Sequence, residues 1–272
     1  MAVKGMEYMD ATGMSISAQE ELVQSPEWGL QQKFDGTRVL IHLETLQFTQ
    51  RNGNPLKHTA ATQWIPEILQ ELSDLDLSGQ ANTILDCELL IHDGTLVVFD
   101  VIDPWRLHQS AAERIEELEA LPQRPGGRLR TVRTAVTPEE CRALIAACAD
   151  REGVVAKRLS APYQPGKRTA DVLKLKNIHV ADLVVMATST EPLSAKLGAY
   201  SDQGDLVTIT SASLIGKEKD GRIEAGDVVE VSYLYWTGTG IVQPRIMRRR
   251  EDKAAEACTF AQFSPYSREE VR

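Results

Sequence analysis

Residues 30–53 read LQQKFDGTRVLIHLETLQFTQRNG, and this stretch decides the fold of the first half of the chain. The run RVLIH is rich in β-forming residues and the NG pair is a strong turn signal, so the stretch predicts strand, turn, strand, turn. The DG pair predicts a tight turn that presents the side chain of Lys33. A lysine amine becomes a nucleophile when desolvation and neighbouring cations favour its neutral form.

The composition is that of a globular protein. The chain has 272 residues, of which 42% are hydrophobic and 25% charged, and this length predicts two domains or one large one. No apolar run is long enough for a membrane span, and the N-terminus lacks the apolar stretch of a secretory signal. The four cysteines form no CxxC pair, so neither a zinc site nor a disulfide framework is predicted. We therefore expect an intracellular protein.

Charge is unevenly distributed along the chain. The net charge of −9 by itself argues mildly against a nucleic-acid partner. However, basic residues are concentrated at 121–135, 152–176 and 245–250, and an acidic body with basic stripes can still bind a polyanion. The alternative, that each stripe is a solvated loop, stays open.

The two parts of the chain have different patterns. Up to about residue 180, helical periodicity (TAATQWIPEILQELSDL, SAAERIEELEAL) alternates with β-rich runs. The segment TPEECRALIAACAD predicts a helix with Thr137 as N-cap and Pro138 in its first position. After about residue 180, short β-runs are separated by Gly, Asp and Ser, which suggests a small barrel of the OB type. We predict an α+β domain at 1–180 and an OB-fold domain at 181–272.

Common nucleotide-binding and hydrolase motifs are absent. Gly166-Lys167 is not part of a P-loop, Gly238 and Gly240 lack the third glycine of a dinucleotide fingerprint, and neither GxSxG nor HExxH occurs. Any phosphate chemistry must therefore use another arrangement of residues.

Six blocks follow one another along the chain: KFDGTR, RNG, LDCELL with VVFDV, EGVVAK, LKLK and PRIMRRREDK. In this order and approximate spacing they resemble the covalent nucleotidyltransferases, and in particular a compact (minimal) ATP-dependent DNA ligase. The resemblance extends from about Ser25 to about Phe260. It implies a nucleotidyltransferase (adenylation) domain with antiparallel sheets and flanking helices, followed by an OB-fold β-barrel.

The resemblance also implies roles around the nucleotide. Lys33 would attack the α-phosphate of ATP and form a lysyl-AMP intermediate. Phe99 would stack on adenine, Gln31 would read its amino group, and Arg38 and Arg51 would contact the sugar and phosphate side of the nucleotide or nick. The alternatives are that Phe99 is strand core and that Gln31 is a solvent-facing polar residue.

Carboxylates and lysines complete the implied site. Glu88 would contact the ribose or a metal, and Glu152 would help to place Mg²⁺, with Mn²⁺ as an alternative ion, because hard carboxylates suit such cations. Lys174 and Lys176 alternate on a strand, so both point to one face, where they would bind the α-phosphate. Their alternative role is a solvated strand face.

The last block implies a leaving-group site. Arg250 and Lys253 would orient pyrophosphate in the first step only, after a domain closure that reverses for DNA binding. We count both, with Lys33, Lys174 and Lys176, as the catalytic set. The alternative, a basic strand that binds nucleic acid, is compatible with this role.

Nicked duplex DNA is the expected partner of a monomeric protein. The predicted nucleic-acid contacts are Arg51, Arg124, Arg128, Arg130, Lys167, Arg168 and Arg248. The family often has Trp at the position of Val172. Only 32 residues precede Lys33, and the predicted barrel lacks room for a long inserted latch, so we predict weak, salt-sensitive nick binding.

The predicted activity is the sealing of 5′-phosphate/3′-hydroxyl nicks by an ATP-dependent DNA ligase, through lysyl-AMP and DNA-adenylate, in DNA replication, repair or recombination. The resemblance implies a cytoplasmic, prokaryotic or phage-like enzyme without membrane contact. An RNA ligase or mRNA capping-type enzyme is the first alternative. A non-catalytic nucleic-acid-binding protein is the alternative of another class.

Overall fold

The computed structural model describes residues 3–57, 60–75, 82–90, 92–149, 151–215 and 223–263. These residues form an α+β fold, as predicted, and it contains three five-stranded sheets. The α-helices are α1 (Ile16–Gln24), α2 (Ile65–Asp74), α3 (Ala111–Glu119) and α4 (Pro138–Ala147).

The chain divides into two compact units. The first comprises Met1–Cys148 and Gly153–Leu175, and the second comprises Ala149–Glu152 and Lys176–Arg272. Each unit has a hydrophobic core of its own.

Two of the sheets form the framework of the first unit. In spatial order, one contains β1 (Glu7–Asp10), β10 (Arg168–Lys176), β9 (Gly153–Arg158), β2 (Trp28–Gln32) and β8 (Thr134–Ala135). The other contains β4 (Gln47–Gln50), β3 (Thr37–His42), β5 (Ile84–Leu89), β6 (Leu96–Ile102) and β7 (Leu129–Thr131). The pairs β1–β10 and β6–β7 are parallel. The antiparallel pairs include β2–β8, β2–β9, β3–β4, β3–β5 and β5–β6.

The segment KFDGTR connects these two sheets. β2 lies in the first sheet and β3 in the second, so the predicted strand–turn–strand is a crossing between sheets and not a hairpin. β3 instead pairs with β4 through a link in which Leu46 has a φ of 51°. The NG pair forms a separate turn after β4, with Gly53 at a φ of 84°, a conformation that glycine adopts without strain.

Side chains from both sheets share one core, to which Met6, Leu40, Ile102 and Val155 contribute. The helix α4 begins where the sequence predicts. The Thr137 side chain accepts a hydrogen bond from the Glu140 N–H in a capping box that starts α4, and Pro138 occupies the first turn. Burial of apolar strand faces thus joins the sheets, and local capping sets the helix ends.

The second unit contains one antiparallel sheet. In spatial order, it contains β13 (Leu206–Ser213), β12 (Leu193–Tyr200), β11 (His179–Thr190), β14 (Val228–Tyr233) and β15 (Arg245–Arg249). Its core includes Leu183, Leu197, Val229 and Val231, with Trp236 and Phe260 packed against it. Within the described residues this sheet is not closed into a barrel, so the OB-fold prediction is not confirmed. No helix of the described residues is long and apolar enough to cross a membrane.

Candidate active site

Lys33 directly follows β2, at the start of the crossing between the two sheets. Its backbone N–H donates to the Gly153 carbonyl at 2.9 Å, and its Nζ lies 3.5 Å from the Phe34 carbonyl oxygen. A Cβ added at Gly36 would lie 2.4 Å from the Leu89 carbonyl oxygen and 3.1 Å from Glu88 Cγ. Only glycine therefore lets the turn that carries Lys33 press against the end of β5, where Glu88 lies.

Arg38 is fixed by a buried ion pair. Its Nε and Nη2 donate to the two carboxylate oxygens of Asp86 at 2.8 and 2.6 Å, and its Nη1 donates to the Met6 carbonyl at 2.8 Å. The Tyr163 hydroxyl also donates to Asp86, at 2.7 Å. A bidentate pair of this kind holds the guanidinium in one orientation. Burial, the largest single effect, lowers the pKa of Arg38, but the charge of Asp86, the hydrogen bonds to it and the neighbouring tyrosines together raise that pKa well above its usual value.

Phe99 lies beside this pair in an irregular part of β6. The pairing of β5 with β6 shifts between Asp86 and Cys87, and this shift leaves Phe99 without a register partner. The Arg38 guanidinium lies 5.2 Å from the centre of the Phe99 ring, and the Tyr8 ring stands edge-on to it at 6.4 Å. The half-buried ring is thus held between a cation and a second aromatic side chain.

A second ionic cluster is buried behind Phe99. Lys157 Nζ donates to Asp100 at 3.0 Å and to the Phe99 carbonyl at 2.6 Å. Arg114 Nε donates to the other carboxylate oxygen of Asp100 at 2.8 Å. Burial raises the pKa of Asp100, but the Lys157 and Arg114 charges outweigh it and lower that pKa to about 2. Burial also lowers the pKa of Lys157, and the Asp100 charge opposes this effect.

Other predicted nucleotide contacts of the first unit lie on the first sheet. Gln31 is buried, and its side-chain amide donates to Thr134 Oγ1 at 2.9 Å. Lys174 Nζ lies 3.6 Å from Asp10 Oδ2, across the β1–β10 pair. The Gln31 amide nitrogen and the Lys174 amine therefore each have a partner within the protein.

Glu152 and Lys176 form an ion pair in the second unit. Lys176 Nζ lies 3.3 Å from Glu152 Oε1, and the Asn177 N–H donates to the Glu152 carbonyl at 3.0 Å. No group of three or more His, Cys, Asp or Glu side chains placed to hold a metal ion occurs in the described part of the chain.

Arg250 and Lys253 converge on one carboxylate. Arg250 Nη1 lies 3.0 and 3.2 Å from the two carboxylate oxygens of Asp182, and Lys253 Nζ lies 2.7 Å from Oδ2. Asp252 accepts from Nε and Nη2 of Arg250. The hydrogen bonds that Arg250 donates to Asp252, followed by the Asp182 charge, raise the pKa of Arg250 above its usual value. The two side chains predicted to bind the leaving group are therefore adjacent and carry their own counter-ions.

Arg124 and Arg128 line a cavity of about 800 Å³ between α2 and the loop before β7. Arg124 lies 3.7 Å from Asp74. Arg128 pairs with Glu67, and its guanidinium stacks 4.3 Å from the centre of the Trp64 ring. Arg130 donates to the Leu129 carbonyl at 3.1 Å. The first two of these predicted nucleic-acid contacts are thus also tied to α2 and its preceding turn.

The remaining predicted contacts are exposed. Arg51 and Arg168 both lie near Glu7, at 3.9 and 2.9 Å, and Lys167 precedes Arg168 on the surface. Arg248 pairs with Glu230 at 2.9 Å on the second unit.

Sequence reasoning missed several members of the buried clusters, namely Tyr8, Asp86, Asp100, Arg114, Lys157 and Tyr163. Three of them had a readable signal, because Asp86, Asp100 and Lys157 are charged residues inside apolar strand runs (ILDCELL, VVFDV, VVAK). A charge in such a run is expensive to bury unless it is paired. Their partners Arg114 and Tyr163 come from other elements and had no comparable signal.

Comparison with known structures shows the fold that this chain shares with a solved DNA ligase structure. One solved structure comes from a structure-function analysis of Lig E DNA ligases that concerns DNA binding with a minimal scaffold. It superposes with a TM-score of 0.63 over 92% of this chain and 100% of that chain, at 15% identity.

Sequence comparison finds similarity to DNA ligases. Residues 9–95 match the family described as ATP dependent DNA ligase domain. A probable DNA ligase of Streptomyces avermitilis is 29% identical over 85% of this chain and 57% of its own length. DNA ligase 1 of Korarchaeum cryptofilum is 27% identical over 84% of this chain and 53% of its own length. The resemblance to ATP-dependent DNA ligases is thus confirmed, and the chain spans about half the length of these relatives.

Proposed function

We propose that the chain is an ATP-dependent DNA ligase that seals 5′-phosphate/3′-hydroxyl nicks in duplex DNA. The observation that carries this proposal is the meeting of motif blocks that are far apart in sequence. Arg38 of KFDGTR binds Asp86 of LDCELL, and Lys157 of EGVVAK binds the carbonyl of Phe99 in VVFDV. The family match and the ligase relatives support the same activity.

The reaction proceeds in three transfers. Neutral Lys33 Nζ attacks the α-phosphorus of ATP, so that an N–P bond forms, the P–O bond to pyrophosphate breaks and the amine loses a proton. An oxygen of the 5′-phosphate at the nick then attacks the phosphorus of the lysyl-AMP. A P–O bond forms, the N–P bond breaks and Lys33 is released with a proton on Nζ. Finally the 3′-hydroxyl attacks the 5′-phosphorus, loses its proton and displaces AMP.

The side chains of the first unit bind and orient the nucleotide. Phe99 stacks on adenine, which contributes about 1–3 kcal/mol in comparable base–aromatic contacts. Gln31 Oε1 accepts a hydrogen bond from the adenine amino group, while its Nε2 donates to Thr134. Arg38 and Arg51 contact the sugar and phosphate side, and Glu88 contacts the ribose.

The lysines and carboxylates neutralise and place the phosphates. Lys174 and Lys176 bind the α-phosphate, and positioning and charge neutralisation dominate this class of reaction. Glu152 and Glu88 are hard oxygen donors that fit Mg²⁺ or Mn²⁺. When bound, the ion would neutralise charge on the phosphates.

The second unit supplies Arg250 and Lys253, which orient the leaving pyrophosphate during the first transfer. We propose that residues 1–180 act as the adenylation domain and that residues 181–272 form the OB-fold domain. Nicked DNA would be bound by a monomer through Arg51, Arg124, Arg128, Arg130, Lys167, Arg168 and Arg248.

The test is incubation with ATP, Mg²⁺ and a duplex that carries one 5′-phosphate/3′-hydroxyl nick, followed by a denaturing gel. We expect a sealed strand and an adenylylated protein. Lys33→Ala should abolish both products, whereas Lys57→Ala, a change at an exposed lysine, should retain them.

Other outcomes would redirect the proposal. Adenylylated protein with sealing of RNA nicks alone would favour the RNA ligase alternative. If the wild-type chain forms neither product, the proposed activity is refuted. If ATP still labels Lys33→Ala, the assigned nucleophile is refuted.

A further inference from the structure

Three distant segments bring basic side chains together at β1. Lys4 immediately precedes β1, Arg51 follows β4, and Lys167 and Arg168 lie at the start of β10. We call these four residues the β1 cation patch. Sequence reasoning assigned no function to the N-terminal segment, so Lys4 is new to the site.

Main-chain hydrogen bonds fix the segments against each other. The Gly5 N–H donates to the Arg51 carbonyl, and the Glu7 N–H donates to the Lys167 carbonyl, both at 2.8 Å. β1 also pairs in parallel with β10. The backbones that carry the patch are therefore held in place, while the exposed ends of the side chains can adapt.

The packing around two glycines shows how closely the side chains of the patch lie against the backbone and against Arg38. A Cβ added at Gly166 would lie 3.2 Å from Lys4 Cδ, so the Lys4 stem lies over this turn. A Cβ added at Gly5 would lie 2.9 Å from Arg51 Cγ and 3.2 Å from Arg38 Nη2. The patch is thus continuous with the Arg38 and Phe99 cluster, through Gly5.

The charges of the patch are only partly compensated. Glu7 lies 2.9 Å from Arg168 and 3.9 Å from Arg51, whose side chains are 66% and 55% exposed. One carboxylate thus pairs with two of four cations. Exposed ion pairs of this kind are weak, so a polyanion can replace Glu7 at little cost.

We propose that the β1 cation patch binds the phosphate backbone of duplex DNA, with Lys4 as a phosphate contact and Glu7 as an internal competitor that weakens binding. The inference rests on the proposed function, and it names a contact surface and its regulation. Several adaptable cations beside the candidate active site suit successive phosphates, which bind through charge and without sequence readout.

The experiment measures the dissociation constant of a fluorescent nicked duplex by anisotropy, without ATP and at several salt concentrations. The variants are Lys4→Gln, Arg168→Gln and Glu7→Gln. The matched control is Arg142→Gln, which removes an exposed arginine of α4 that also pairs with one carboxylate, Glu20, at 2.6 Å.

We expect Lys4→Gln and Arg168→Gln each to weaken binding roughly 5-fold and to reduce the slope of log Kd against log salt by about 0.9. Glu7→Gln should tighten binding roughly 3-fold, because it removes an exposed competing charge. Misfolding would not produce that gain. Arg142→Gln should match the wild-type chain.

Two results would overturn the proposal: an unchanged salt slope in Lys4→Gln, or binding by Glu7→Gln that is no tighter than that of the control. Adenylylation of the wild-type chain by ATP alone reports the proposed ligase chemistry separately. If adenylylation is absent but the binding pattern is as expected, the ligase activity fails and the patch stands. If adenylylation occurs and the patch variants match the control, the patch fails and the activity stands.

Discussion

Each unit of the protein carries an aspartate held by two cations, and the two sites differ in depth. In the first unit, Asp100 and its partners Lys157 and Arg114 are at most 4% exposed. In the second unit, Asp182 is 12% exposed, and Arg250 and Lys253 are 18% and 28% exposed. The chemistry of the two groups is similar, but their contact with water is not.

This difference teaches what each cluster can do. A buried cation cannot leave its carboxylate without a large desolvation penalty, so the Asp100 cluster can only hold structure, here the backbone of Phe99. A cation near water can change partners at low cost. The Asp182 cluster is therefore suited to exchange its carboxylate for a phosphate.

The largest effect is expected for Asp100→Asn. The change preserves shape but leaves two buried cations without a counter-charge, so we expect a loss of about 3–5 kcal/mol in the free energy of unfolding. Urea denaturation measures it. Asp182→Asn is the matched control, with a much smaller shift of the urea midpoint. Equal shifts of the urea midpoint in the two variants would show that burial does not distinguish the two clusters.

Arg250→Ala tests the exchange of partners in the second unit. If Arg250 moves from Asp182 to the leaving group, protein adenylylation should slow about a hundred-fold, the effect of removing one donor to a developing charge. Sealing of a nick that is already adenylylated should change little. Arg249→Ala, a change at a neighbour that pairs with Asp227, serves as the control. Equal slowing of both steps would contradict a role confined to the first transfer.

Acid should weaken the first unit through Asp100. Its pKa of about 2 lies below that of an unfolded aspartate, so the carboxylate stabilises the fold fully above about pH 4 and loses this effect as the pH falls towards 2. The contribution is about 2 kcal/mol. The free energy of unfolding measured from pH 5 to pH 2 should fall less steeply in Asp100→Asn. Parallel profiles would contradict the assignment.

The smallest expected effect is kinetic. Asp182→Asn removes a charge that competes for Arg250 and Lys253, so adenylylation at low ATP should become roughly 3-fold faster, as for the loss of a weak exposed ion pair. Single-turnover labelling with ATP measures this rate. A slower rate would show that Asp182 positions these cations instead of competing for them.

Local signals predicted much of the fold. The N-cap at Thr137, the proline in the next position and the turn at Asn52-Gly53 depend on neighbouring residues only, and all three occur. The closure of the last five strands into a barrel depends on contacts between distant edges, and this prediction is not confirmed. The assignment of β2 and β3 to different sheets depends on long-range pairing in the same way.

The candidate site likewise contains residues that local patterns predicted and residues that only long-range contacts reveal. Lys33, Arg38, Glu88 and Phe99 were predicted because each lies in a short block with its own pattern. The counter-ions were missed, since Asp182 is only one acid in a β-rich segment and Arg114 only one base on a charged helix. Arg114 lies 14 positions from Asp100, and Arg250 lies 68 positions from Asp182. Ion pairs over such separations leave no periodic pattern in the sequence.

The sequence by itself determined the α+β class, the ordered motifs and the resemblance to ATP-dependent DNA ligases, because these are carried by short contiguous stretches. Only the tertiary structure decided which charges are buried together and which remain near water. It also decided that Lys4 joins the cations of two other segments around β1. Such choices depend on desolvation and on the packing of residues that are distant along the chain.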